Sequence, residues 1–217
     1  MRVKEYQLDE LARARALADE AAKLHIPMPV LSWQYEIKDT DGNIYEKGIS
    51  KSNSYTRNAL NAIAWVTGLC SKDLATTTYF QDGYISGKIP STGTIISPLY
   101  INRKDATINP LVVLGVSTSA ESLDDYKLNE TTGLTYGLNS VNSVFNTTTR
   151  KLVTSISRTF YNGTAGDITI NEAGVEMTNT PYQDEILYIR DVISPVTVGA
   201  GQSITWTYIT EVSYPNP

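Results

Sequence analysis

Between Val141 and Val212 the chain alternates apolar and polar residues with a period of two, and this limits what it can fold into more than any other feature. In Ser203–Val212 one set holds Ile204, Trp206, Tyr208, Thr210 and Val212, and the other holds Thr205, Thr207, Ile209 and Glu211. Only an extended strand sorts neighbours onto opposite faces in this way. One face is expected to be buried and the other wet, with Thr210 and Ile209 as the two positions that fit less well.

Upstream, Leu152, Thr154, Ile156, Arg158 and Phe160 alternate against Val153, Ser155, Ser157, Thr159 and Tyr161, and Ile168–Glu172 alternates again. Asn162-Gly163 opens the six-residue link between these runs and predicts a hairpin with an extended loop. Ile186–Ile193 and Val196–Val198 read as two further strands, and Gly199-Ala200-Gly201 turns into the last. The order predicts an antiparallel meander. Strands with one buried face must stack on a second layer, so the expected fold is mainly β, an antiparallel β-sandwich or jelly-roll-like body over residues 29–217. Trp33 and Trp206, by strand alternation, and Trp65, beside the apolar face of a second helix, are all expected in its core.

Earlier residues predict an appendage. Glu5 to Leu24 reads as one helix, with Leu8, Leu11, Ala14, Ala18 and Ala21 in a stripe, Leu17 and Leu24 beside it, and acid-before-base pairs Asp9/Arg13 and Asp19/Lys23. Pro27 and Pro29 end it. A helix of this length is marginal alone in water and must pack its stripe on something. Residues 1–28 are therefore expected to form an N-terminal helical assembly arm, docking through Leu8, Leu11, Leu17 and Leu24 on a neighbouring subunit or on another protein of the assembly. Next, Trp33, Tyr35 and Ile37 alternate with Gln34, Glu36 and Lys38, Asp41-Gly42-Asn43 turns, and Ile44–Ile49 returns as a hairpin. A second helix over Tyr55–Leu69 is expected to cross one sheet. Residues 71–110 are rich in Thr, Ser, Gly and Pro, and are expected to hold short strands or to order against a partner.

The inventory for chemistry is thin. One histidine, His25, and one cysteine, Cys70, allow no multi-histidine metal site and no intrachain disulfide; His25 lies in a linker, a poor place for a Ser-His-Asp triad. Asp39-Thr-Asp-Gly-Asn-Ile-Tyr-Glu46 misses the EF-hand spacing and fits a hairpin turn. Gly199-Ala200-Gly201 lies between strands, without the helix that lets a glycine loop hold pyrophosphate. Asp124, Asp125, Glu172, Glu176, Asp184 and Glu185 are expected on the solvated surface, unpaired as glycosidase carboxylates. A net charge of −5 gives no basic footprint for nucleic acid or an anionic membrane. The first residues lead into a charged helix, not the apolar core of a signal peptide, and no apolar run is long enough to span a bilayer. The expectation is a soluble protein that is not an enzyme and needs no metal, nucleotide or other cofactor.

A resemblance adds a role. Ser122–Leu128, Arg158-Thr-Phe-Tyr-Asn162, Ile168–Gly174, Arg190-Asp-Val-Ile193 and Val198–Tyr208, together with the helix Tyr55–Ile63 after an early strand pair, resemble a group of tailed-bacteriophage virion proteins found in tails, necks and capsid attachments. The resemblance covers roughly residues 33–70 and 111–212 and rests on strand and turn patterns, without a catalytic residue to carry over. It implies a structural component of the virion, made in the bacterial host cytoplasm, whose partners are copies of itself and other virion proteins. The alternative is a receptor- or glycan-binding module of a tail tip or fibre. Fourteen tyrosines bear on both readings, because tyrosine offers a rigid contact area with a polar tip; Tyr79, Tyr84 and Tyr100 are the interface candidates. A polysaccharide hydrolase is the third class, and the missing acid-base pair argues against it.

Overall fold

The computed structural model describes residues 1–52, 108–121, 128, 133–179 and 184–214. They hold one helix, α1 (Leu8–Lys23), and the strands β1 (Arg2–Glu5), β2 (Pro29–Lys38), β3 (Ile44–Lys51), β4 (Ile108–Gly115), β5 (Leu134–Tyr136), β6 (Ser140–Asn146), β7 (Lys151–Asn162), β8 (Ile168–Asn179), β9 (Asp184–Val198) and β10 (Ser203–Ser213). The protein is mainly β. Its chain divides into two compact units, Met1–Asn53 with Thr132–Thr169 and Thr197–Pro217, and Ser54–Thr131 with Ile170–Val196.

The first unit is built on a seven-stranded sheet in the order β1-β3-β2-β10-β7-β5, with β6 following β5 along the same side of β7. β10 lies antiparallel between β2 and β7, so Ile204 faces Ile37 and Phe160, Trp206 faces Tyr35 and Arg158, and Tyr208 faces Trp33 and Ile156. The alternation read from the sequence places all of these on one face. There Trp206 stacks on Tyr35 with ring centroids 5.3 Å apart and meets Trp33 at 4.8 Å; all three rings are buried, the two tryptophans as expected. Each buried ring removes about 200 Å² from water, about 5 kcal/mol gross. Tyr35 lies over Gly48, where a Cβ would meet its ring at 2.2 Å. Its hydroxyl donates to Glu46 at 2.7 Å, and Glu46 also takes Lys4 at 2.8 Å. Burial first, then the Glu46 carboxylate, push the Tyr35 hydroxyl far above the ordinary tyrosine range, so it stays a proton donor.

The opposite face, expected to be wet, is partly covered by α1, and this corrects the detached arm. Leu11, Ala18 and Val30 form one buried cluster with Ala14 and Ile49 against it. Arg15 binds Glu211 of β10 through Nε at 2.9 Å and through a second nitrogen. Asp19 accepts from Ser213 at 2.7 Å and pairs with Lys151 of β7 at 2.8 Å. The connection does not hold the helix away, because the chain folds back at once. His25 takes a left-handed conformation (φ 59°), its amide bonds Ala22 and that of Ile26 bonds Ala21. This is a Schellman cap, and it returns the chain so that β2 begins beneath the helix. At the other end Arg2–Glu5 pairs parallel with β3, which explains why α1 starts at Leu8 and not at Glu5.

In the second unit the order is β4-β8-β9. Val112–Gly115, Glu172–Glu176 and Leu187–Asp191 are buried without alternation, as in sheets covered on both faces. Two features of the expected meander are corrected here. β7 and β8 enter different sheets instead of forming a hairpin, and β10 is a neighbour of β2 and β7, not of β9. The link between β7 and β8 is organised by buried Asn162, whose Nδ2 donates to the carbonyls of Gly166 and Val198 and whose Oδ1 accepts from the amide and hydroxyl of Thr164. The two strands expected at Ile186–Ile193 and Val196–Val198 are one strand, β9. Pro195 is accommodated there because, among the described residues, β9 ends the strand order, where an amide is dispensable. The expected helix Tyr55–Leu69, Trp65, Cys70 and the segment 71–110 lie outside the described residues.

Candidate assembly surface

β6 has the sequence Ser-Val-Asn-Ser-Val-Phe-Asn and pairs along its length with β7, from Ser140 opposite Ser157 to Asn146 opposite Lys151. The turn beyond it is set by Asn146, whose side-chain oxygen accepts from the amides of Thr148 and Thr149 at 2.9 Å each. Among the described residues β7 is its only partner, so its outer edge is open. All seven residues are exposed, with Val141 and Val144 each at 54% and Phe145 at 44%. Val141 and Phe145 share a face with Ser143, whose hydroxyl lies 2.9 Å from that of Thr154; Val144 lies on the other.

Other apolar groups gather along this side of the sheet. Tyr136 and Tyr161 are exposed, and Leu138, between β5 and β6, is 97% exposed. Arg158 fixes the approach to Leu138, with its guanidinium 3.7 Å from the Tyr136 ring centre and its Nε donating to the Gly137 carbonyl at 3.1 Å. Phe145 meets Tyr214 edge-on at 5.8 Å. Sheet edges are usually blunted by charge, proline or a bulge, since an open ladder recruits other strands. β6 carries no charge and no proline, and its register with β7 is unbroken. Chemically the surface can do one thing well, which is to accept another strand and cover its side chains.

The residues proposed from sequence fare differently. Leu11 is in the core of its own chain and is unavailable to a partner; Leu8 is half-buried; Leu17 and Leu24 are exposed on α1 and just after it. Tyr79, Tyr84 and Tyr100, the other interface candidates, lie outside the described residues. β6 was within the alternating stretch but was not singled out. Its signal was the uncharged run with apolar residues on both faces, unlike its neighbours.

Polar groups elsewhere are tied into structure. Glu172 and Glu176 are buried, which corrects their expected place on the solvated surface. Glu172 holds Arg190 Nε at 2.8 Å and accepts the Ser117 amide, while Arg190 donates to the carbonyls of Ser119 and Ala120. Gly115 stands opposite Glu172, where a Cβ would meet the carboxylate at 2.3 Å. Asp39 accepts the amides of Asp41 and Asn43 and so closes the β2–β3 turn. Among the described residues no group of three or more His, Cys, Asp or Glu side chains gathers to hold a metal ion, and no helix is long and apolar enough to cross a membrane. Comparison with models of protein families, with curated proteins and with solved structures finds no match.

Proposed function

We propose that the protein is a structural component of a tailed-phage virion, in the tail, in the neck or attached to the capsid, and that it works by assembling with copies of itself and with other virion proteins. The observation that carries this reading is the open, uncharged β6 edge. The strand is self-complementary. Two copies paired antiparallel about Ser143 set Val141 of each against Phe145 of the other on one face, and Asn142 against Val144 on the other. The first pairing repeats twice by symmetry, and an aromatic residue opposite a β-branched one contributes about 0.2–1 kcal/mol beyond the shared ladder. No like charges meet at the join. The resemblance of the strand and turn pattern, over roughly residues 33–70 and 111–212, to that of phage virion proteins supports the location.

The test is the particle. Mass spectrometry of density-purified phage particles from a lysate in which this chain is produced should find it in fixed ratio to the other tail or neck proteins. Its confinement to the soluble fraction, with complete particles lacking it, would contradict the proposal.

A further inference from the structure

We propose that the cleft between the end of α1 and the β6–β7 turn binds an oxyanion, a phosphate or a carboxylate, with Arg150 as its main ligand. The cleft has a volume of about 410 Å³ and is lined by Asp19, Lys23, Arg150, Lys151 and Tyr214 among others. Two costs fall together on Arg150. Its backbone is left-handed, at φ 54°, a conformation that disfavours residues with a Cβ and suits glycine or asparagine. Its side-chain Nε is buried without a hydrogen-bond partner, and a buried unpaired donor is destabilising, more so when charged.

Neither cost is recovered among the described residues. The backbone carbonyl of Arg150 accepts the Tyr214 amide at 2.9 Å, which any residue would do. The carboxylate lining the cleft is engaged, since Asp19 takes Ser213 and Lys151. Lys23 is held by Glu20 at 2.5 Å. The last carbonyls of α1 that cap the helix, those of Ala21 and Ala22, accept amides from residues 24–26. Arg150 is thus the cation in this cleft left without an anion, and its planar fork matches two oxygens of a phosphate or carboxylate. Lys23 and Lys151 also line the cleft, but they are paired with Glu20 and Asp19, so the uncompensated charge there is that of Arg150. A glycine at this position would remove both costs, so the arginine is accounted for by what its side chain binds.

The probes are inorganic phosphate and a blocked glutamate peptide, each titrated into the full chain at constant ionic strength, with thermal unfolding and calorimetry as readouts. Wild type should show a saturable rise in Tm and a dissociation constant on the order of 1 mM. Arg150→Gly, which also relaxes the backbone, should have an unchanged or higher Tm without ligand and lose the saturable response. Arg150→Lys should bind several-fold more weakly. A response to phosphate alone assigns a phosphate group, and one to the peptide as well assigns any oxyanion; both support the site. The absence of a saturable response in wild type, or an equal response in Arg150→Gly, overturns it.

Discussion

Glu172 and Arg190 are the residues whose removal should do most harm per atom. Both are nearly inaccessible to water and each satisfies the other. Replacing one strands a buried charge, so Arg190→Met should cost about 3–5 kcal/mol, while the double variant Glu172→Met/Arg190→Met should lose much less. Denaturant unfolding of the two singles and the double, as a mutant cycle, checks this. Gly48 is the second such point. A methyl there meets the Tyr35 ring, and Gly48→Ala should cost about 1–3 kcal/mol by overpacking, visible as a lower denaturation midpoint. The sequence held a clue to Glu172, which shares strand parity with Ile168 and with buried Ile170. The clue was outweighed because a carboxylate is ordinarily a surface residue, and its partner Arg190 lies on another strand that parity alone does not bring near. Trp206 was legible because both its parity and its bulk pointed inward.

For α1 the stripe was legible and its destination was not. An amphipathic face states that something must cover it but gives no address, and two prolines suggested separation. The structure supplies the address in Val30 and Ile49. Leu11→Ala should therefore destabilise the monomer by about 2–5 kcal/mol, and deleting residues 1–28 should unfold or aggregate the remainder, since it also strips β1 from β3. Circular dichroism and thermal melting of the truncated chain check both effects. The helix is also anchored by charge. Hydrogen bonds from Lys151 and Ser213 hold the Asp19 carboxyl below its ordinary value of 3.8. A depressed folded-state value stabilises at pH above the unfolded-state value and is lost as pH falls through the lower one. Wild type should accordingly lose stability over this acid range, and Asp19→Asn should flatten that part of the pH profile. Because Asp19 is largely exposed, the effect is small.

At the scale of the molecule, alternation identified a mainly β chain but not which strands are neighbours. β2 pairs with β10 from the far end of the sequence, and β7 and β8, adjacent in sequence, part into separate sheets. Local periodicity sets two faces for a strand; pairing is decided by long-range packing that a single strand does not encode. The same limit hid β6, whose meaning comes from standing at the open side of β7. The account rests on that edge being an assembly surface, and sedimentation velocity of the full chain over a range of concentrations tests it most directly. Wild type should associate with increasing concentration, and Val144→Lys, which places a charge on the open strand, should remain monomeric with an unchanged circular dichroism spectrum. A wild-type chain that stays monomeric at every concentration, or a lysine variant that associates equally well, would contradict it.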